Sequence, residues 1–252
     1  MSEFDPIARF YDLDFGGIDY DLTFYENFAR RCGSPILELG VGTGRVALSL
    51  ARAGFSITGI DSSPAMLAVA RSKLKGLLKQ RVKLVEGDIR DFKLEERFAL
   101  GLAPIGGFMH LTTSQDQLKA LACTYSHLAQ GGMLIVDLPN PERERGDGAN
   151  ELVLAWVRRW PNSEGTVCKM VSTEVDEAAQ LEHVTYFYDE VEPSGALRRT
   201  ISTFTLRYFY RNEMEHLLER SGFAIEGLYG SCDLDGYDSE SQRMIFVARK
   251  RP

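Results

Sequence analysis

The chain has 252 residues, 44% hydrophobic and 26% charged, which excludes a wholly disordered, collagen-like or coiled-coil chain. Its 36 acidic residues outnumber 29 basic ones for a formal net charge of −7, so nucleic acid is not an expected partner, because phosphate binding draws on clustered Lys and Arg. No run approaches the roughly 18 apolar residues that span a bilayer, and Met1-Ser2-Glu3-Phe4-Asp5 lacks the basic and apolar regions of a secretory signal. The four cysteines, Cys32, Cys123, Cys168 and Cys232, form no C-x-x-C pair. A cytoplasmic protein with reduced thiols and no metal site or membrane partner is the expectation.

Residues 1–34 read as amphipathic helices. Phe4, Ile7, Phe10 and Tyr11 share one face, and Leu22, Phe24, Tyr25, Phe28 and Ala29 make a second. From Pro35 the pattern alternates. Ile36–Leu39 predicts a strand, 45–53 a helix, and 57–60 a second strand. Ser63-Pro64 then opens a helix, since Ser caps and Pro suits the first turn. Strands are predicted at 82–85 and 98–103. Ser114-Gln115-Asp116-Gln117 reads as a capping box for a helix that Gly131-Gly132 ends, before a strand at 133–136. Strands alternating with helices predict parallel β-α-β units.

The texture changes after Pro139. A polar loop over 141–150 leads into strand-like runs at 151–160, 166–176, 180–191 and 196–208. Pro161-Asn162-Ser163, Glu177-Ala178 and Pro193-Ser194-Gly195 separate them as turns. Period-two alternation puts His183, Thr185 and Phe187 on one face and Val184, Tyr186 and Tyr188 on the other. A helix at 212–220 and strands at 223–229 and 243–248 close the chain. The expected organisation is an α/β core over 35–140 and 209–252, an antiparallel meander inserted over 141–208, and helices over 1–34 covering the site.

The chemistry-bearing segment is Glu38-Leu39-Gly40-Val41-Gly42-Thr43-Gly44-Arg45, between a strand and a helix, where open α/β sheets bind ligands. A dinucleotide fingerprint needs glycine where Arg45 stands, and a phosphate loop needs Gly-Lys-Ser/Thr, so both templates fail. Glu38 instead places an anion beside the loop, which suits a cationic ligand. Asp61 ends the second strand roughly 20 residues on, where a carboxylate accepts both hydrogen bonds of a ribose diol. Asp88 follows the third strand, placed to accept from an adenine amino group while Ile89 covers the ring.

These segments, with Gly59-Ile60-Asp61-Ser62-Ser63-Pro64-Ala65-Met66, Gly87-Asp88 and Leu128-Ala129-Gln130-Gly131-Gly132, resemble the class I S-adenosylmethionine-dependent methyltransferases. The resemblance covers about 35–138 and resumes at 211–250. It implies a Rossmann-like three-layer α/β sandwich whose seven-stranded, mainly parallel sheet has an antiparallel last strand. It also implies S-adenosylmethionine as cofactor, S-adenosylhomocysteine as product, and cofactor contacts from Tyr11, Glu38, Gly40, Gly42, Thr43, Gly44, Asp61, Ser62, Met66, Asp88, Ile89, Ala103 and Pro104. One departure is Phe98-Ala99, where the family usually has Phe-Asp.

Ala103-Pro104-Ile105-Gly106-Gly107-Phe108-Met109-His110-Leu111 ends the fourth strand and lacks the Asn/Asp-Pro-Pro-Tyr motif of enzymes that modify DNA and protein amides. With Tyr11-Asp12 and the inserted sheet, it is similar to sugar-amine N,N-dimethyltransferases. The resemblance therefore implies a small-molecule acceptor, with N-methylation slightly ahead of O-methylation. A non-catalytic protein binding the cofactor or its product is the alternative. His110 is the candidate general base, because histidine titrates near neutrality. Tyr11 is the candidate to close over the cofactor or orient the acceptor. His127 reads as a helix C-terminal cap. The meander supplies Trp156, Arg158, Trp160, Tyr186, Tyr188, Arg207 and Tyr208; such a sheet could roof the acceptor or form a homodimer interface, while taken singly most of these side chains read as packing residues.

Overall fold

A computed structural model describes residues 2–141, 151–160 and 165–251. After a 3-10 turn at Asp5–Ile7 come α1 (Ala8–Phe15), α2 (Leu22–Cys32), β1 (Ile36–Leu39), α3 (Arg45–Arg52), β2 (Ile57–Asp61), α4 (Pro64–Lys73), α5 (Leu78–Arg81), β3 (Val82–Glu86), β4 (Phe98–Ala103), α6 (Ser114–His127) and β5 (Leu128–Pro139). Then follow β6 (Leu152–Arg159), β7 (Thr166–Asp176), β8 (Leu181–Val191), β9 (Leu197–Arg207), α7 (Arg211–Arg220), β10 (Phe223–Tyr229) and β11 (Arg243–Lys250). Most of the expected 141–150 loop and the Pro161-Asn162-Ser163 turn lie outside the described residues.

The seven-stranded sheet has the order β10-β11-β5-β4-β1-β2-β3. The pairs among β1 to β5 are parallel, whereas β11 runs antiparallel to both β5 and β10. This is the expected sandwich with its antiparallel last strand. All four residues of β1 are buried, because helices cover both faces of the sheet, and such a strand reads as an apolar run. Ile36 packs with Phe24, Phe28, Val46 and Leu50 on one side. Leu37 and Leu39 pack with Leu121 and Leu217 on the other.

Two expected boundaries are corrected. The cap of α6 is Thr113, not Ser114: the Thr113 hydroxyl accepts from the Asp116 N–H at 3.2 Å. Gly131-Gly132 does not end that helix. His127 ends it, Leu128 turns extended, and both glycines lie inside β5. A Cβ on Gly132 would stand 3.0 Å from the carbonyl oxygens of Ala129 and Phe98, where the β4–β5 register shifts. The pair marks a bulge rather than a stop.

The inserted strands form a separate antiparallel sheet, β6-β7-β8-β9. Its inner face buries Val167, Lys169, Tyr188, Ser202 and Phe204, and Val184, Tyr186 and Tyr188 share a side as their alternation predicts. The outer partners Thr185 and Thr203 join hydroxyls at 3.1 Å. The first expected helical face divides. Ile7 and Phe10 bury against Val167 and Tyr188, with Phe10 stacked on Tyr188 at 4.6 Å. Phe4 and Tyr11 instead face a cavity. Phe4 precedes the 3-10 turn, and Tyr11 stands about 100° round α1 from Phe10, so neighbouring residues face different surfaces.

The N-terminal segment is fastened at several points. The Asp5 carboxylate accepts from the Ser63 hydroxyl at 2.6 Å. Asp14 accepts from Trp156 Nε1 at 2.9 Å and the Tyr188 hydroxyl at 3.0 Å, and pairs with buried Lys169. The Ser202 hydroxyl donates to the Glu3 carbonyl. Among the described residues, no helix is long and apolar enough to cross a membrane.

Candidate active site

A cavity of about 370 Å³ opens at the carboxyl ends of β1 to β4, beneath the N-terminal segment. That size lies within the usual range for small-molecule sites. The glycine loop forms its floor. Gly42 has φ +54, a Cβ there would meet Tyr11 Cε1 at 3.9 Å, and its N–H donates to Asp61 Oδ2 at 2.7 Å. Asp61 Oδ1 accepts from the Ser63 N–H at 2.8 Å. The carboxylate is thus held by two backbone donors while facing the cavity. Burial raises its pKa and those donors oppose the rise.

Glu38 is 2% exposed, and its Oε2 has no hydrogen-bond partner among the described residues. Arg45 is nearby, but its guanidinium is spent on Asp21 through two 2.6 Å contacts and on the Ile18 carbonyl at 2.8 Å. Burial pushes the Glu38 carboxyl up to about 8; Arg45 opposes this and Asp21 adds to it. The expected fixed anion is corrected: near neutral pH this carboxyl is largely protonated, because an uncompensated charge is costly in a dry site.

Gly40, Ser62, Met66, Ile89 and Pro104 also line the cavity. Thr43 reaches it too, but its hydroxyl donates to Asp12 Oδ1 at 2.6 Å, and Asp12 pairs with Lys73 at 2.5 Å. Two expected contacts stand off the wall. Ala103 is buried, and a Cβ on Gly44 would meet Leu48 and Ala70 at 3.4 Å, so that glycine faces the packed side. Asp88 is at the rim, forked by Arg90 at 2.9 and 2.5 Å, which lowers its pKa.

The opposite wall comes from distant pieces of chain. Tyr11 packs on Phe15 at 4.6 Å, and burial, with Asp61 facing it, pushes its phenol up to about 12. Ile105 has φ +40, a sparsely allowed conformation for a β-branched residue. It occupies the Pro104–Gly107 turn, closed by the Gly107 N–H on the Pro104 carbonyl at 3.2 Å.

His110 opens onto the cavity while walled by aromatic rings, with Phe4 edge-on at 5.0 Å and Phe204 at 5.7 Å. The residue is still exposed at the cavity mouth, and desolvation by the packed rings, with no charged neighbour to oppose it, pushes its imidazole down to about 4. Phe4, Phe15, Ile105, Leu111 and Arg90 line the cavity without having been singled out. The i, i+4 relation of Phe15 to Tyr11 was a usable signal for one of them.

Other histidines and acids have structural partners. His127 Nε2 accepts from the Leu94 N–H at 3.1 Å, while Nδ1 lies 2.8 Å from the Cys123 carbonyl. It therefore bonds a last-turn carbonyl of its own helix, as expected of a C-terminal cap, and also anchors the β3–β4 connection. The His183 ring meets Thr205 at 3.1 Å. Asp137 accepts from the Tyr25 hydroxyl at 2.7 Å and Arg243 at 2.6 Å. Among the described residues, no group of three or more His, Cys, Asp or Glu is placed to hold a metal ion.

A methyltransferase domain family matches residues 36–132. An uncharacterized methyltransferase of Geobacillus sp. (strain WCH70) is 32% identical over 155 residues, 58% of this chain and 69% of the relative. The dTDP-3-amino-3,4,6-trideoxy-alpha-D-glucopyranose N,N-dimethyltransferase of Streptomyces venezuelae is 25% identical over 197 residues, 78% of each chain. The CcbJ methyltransferase from Streptomyces caelestis superposes with a TM-score of 0.84 at 24% identity, covering 100% of this chain and 99% of that one; this likeness establishes the fold. The cavity fits S-adenosylmethionine on its own chemistry, because the bare Glu38 oxygen suits an ammonium and the fixed Asp61 carboxylate suits a diol. The chain belongs to the class I S-adenosylmethionine-dependent methyltransferases.

Proposed function

We propose that this methyltransferase acts on a small-molecule amine. The observation that carries the proposal is the setting of His110, which faces the cavity between the Phe4 and Phe204 rings with no acid paired to it among the described residues, a setting that pushes its imidazole down to about 4. A base that weak does not deprotonate an alcohol or phenol usefully, since proton transfer works best when the base's pKa lies near the operating pH. A neutral amine attacks through its own lone pair and needs no such base. The likeness to a sugar-amine dimethyltransferase supports the same choice. Net charge argues against nucleic acid.

Glu38, Gly40, Gly42, Asp61, Ser62, Met66, Asp88, Ile89 and Pro104 form the cofactor wall, with Tyr11 closing over it. Thr43 and Gly44 shape the loop, and Ala103, next to Pro104 in the chain, is buried in the core. S-adenosylmethionine supplies a methyl carbon already activated by positive sulfur. The chain's task is to align the amine with that carbon and exclude water, worth several kcal/mol of barrier. His110 Nδ1 or Nε2 accepts a hydrogen bond from the acceptor N–H and so orients its lone pair, while Phe4 and Phe204 hold the ring. The proton released from the methylated ammonium passes to solvent.

The test is transfer of a deuterium-labelled methyl group to separate pools of amines, phenols, alcohols and carboxylic acids, with wild type and His110→Ala. Label on an amine, slower in the variant at unchanged cofactor affinity, is the expected result. Label only on oxygen would refute the amine assignment. Equal turnover, with chemistry rate-limiting, would remove His110 from the reaction.

A further inference from the structure

Asp5 does not line the cavity, yet the geometry points to it as a positioning residue for cofactor binding, acting through Ser63 on Asp61. The inference rests on the assignment of Asp61 to the cofactor ribose, and three hydrogen bonds carry it. The Ser63 N–H donates to Asp61 Oδ1 at 2.8 Å. The Ser63 hydroxyl accepts from the Met66 N–H at 3.1 Å and donates its one proton to Asp5 Oδ1 at 2.6 Å. Ser63 is fully buried, so solvent does not replace a lost partner, and a buried hydroxyl without an acceptor is costly. The backbone that presents the Ser63 N–H to Asp61 is therefore pinned from two sides, by α4, whose first turn Ser63 caps, and by Asp5.

Asp5 is itself held in place. Its Oδ2 accepts from the Ser2 N–H at 2.9 Å, and its Oδ1 stands 3.5 Å from the Ala65 N–H, at the start of α4, where the helix dipole favours an anion. Two carboxylates near one helix start repel each other, and Ser63 stands between them, giving its N–H to one and its O–H to the other. The next residue in the chain, Phe4, has its ring edge-on to His110 at 5.0 Å, and the Glu3 carbonyl accepts from the Ser202 hydroxyl. The cofactor floor and the acceptor wall are thus joined through Asp5. Linkage then demands reciprocity: whatever factor the docked Asp5 adds to cofactor affinity, bound cofactor returns to the docking of the N-terminal segment.

The test is a cycle of Asp5→Ala, Asp61→Ala and the double variant, with S-adenosylhomocysteine affinity read by titration calorimetry on the whole protein. Asp5→Ala is expected to weaken affinity about 3- to 10-fold, what one net hydrogen bond is worth. Asp5→Asn, whose Oδ1 still accepts from Ser63, is expected to recover most of that loss. In the Asp61→Ala background, Asp5→Ala is expected to cost nothing more, since the relay then has no end point. Hydrogen exchange gives the reciprocal reading: S-adenosylhomocysteine should slow exchange in the N-terminal segment of wild type, and slow it less in Asp5→Ala. Unchanged affinity in Asp5→Ala, the same fold-loss with and without Asp61, or equal slowing of exchange in both proteins would overturn the relay and leave the ribose assignment standing. Asp5→Asn as weak as Asp5→Ala would place the effect in charge and sink the hydrogen-bonded route. An Asp61→Ala protein that binds as wild type does would instead remove the ribose assignment, and the relay with it.

Discussion

The floor of the cavity is made from one strand–loop–helix passage and the ends of the next two strands. Much of its contact surface is backbone, and Asp61 alone ties the Gly42 and Ser63 N–H groups together. The opposite wall has no such local unit. Phe4 comes from the N-terminal segment and His110 from the 3-10 turn after β4, with buried Phe204 of β9 packed behind them, and these rings meet only because three separate pieces of chain bring them together. The floor is set by local backbone geometry. The wall is made of side chains carried by separate elements of the chain.

This contrast can be broken from the wall side first. Asp14 fastens the N-terminal segment to the inserted sheet, and Asp14→Ala leaves Lys169, 4% exposed, without its carboxylate. Removing one partner of a buried pair costs about 3–5 kcal/mol. For a protein of this size that is a fall in melting temperature on the order of 10 °C. A calorimetric melt within 2 °C of wild type, a margin of roughly 1 kcal/mol or less, would show that the segment is not held there.

The floor should respond in affinity rather than in melting. Asp61→Ala removes acceptors for two N–H groups as well as the proposed ribose contact. Hydrogen bonds to a charged group are worth about 1.5–3 kcal/mol, so calorimetric affinity for S-adenosylmethionine should fall roughly 10- to 100-fold. Unchanged affinity would remove Asp61 from the ribose role.

Glu38 sharpens the comparison through pH. Its pKa, about 8 in the free protein, should fall when a cation arrives beside it, because an opposite charge favours the ionised form. At pH 7 binding should therefore release protons, and affinity should rise with pH through about 8 and level off above it, once the free carboxyl has ionised. Titration calorimetry in buffers of different ionisation enthalpy measures the release. Glu38→Gln should abolish that part of it, leaving only any contribution from the cofactor's own amine. Identical release in both proteins would contradict the contact.

The smallest effect is expected at Ile105. Left-handed backbone costs a residue with a Cβ roughly 1–2 kcal/mol, so Ile105→Gly should raise the melting temperature by a few degrees, less whatever the lost side chain contributes to packing. A lower melting temperature would show that packing outweighs strain.

The floor was largely legible in the sequence because its signals are local. Glycines, an acid after each of two strands, and Ser63-Pro64 announce their positions through backbone rules. Its charge state was not legible: Glu38 reads as an anion until burial is known, and Arg45 looks available until Asp21 is seen to hold it. The parallel β-α-β core followed from alternating strands and helices, whereas the strand order β10-β11-β5-β4-β1-β2-β3 did not. The Gly131-Gly132 bulge read as a helix stop, because a glycine pair signals either one. The wall was mostly hidden, since the meeting of Phe4, His110 and Phe204 depends on contacts nearly 200 residues apart in sequence, as with the Ser202–Glu3 bond. Tyr11 and Phe10 are neighbours in sequence, yet they serve different surfaces.

The most direct test of methyl transfer to nitrogen is S-adenosylhomocysteine release by the purified wild-type protein against matched pools of amines and hydroxyl compounds. Release dependent on the amine pool, rising with pH as the acceptor ammonium loses its proton and showing no break near the ordinary histidine range, is the predicted result. Release dependent only on hydroxyl acceptors, with a rate that follows a base titrating near neutrality, would contradict it.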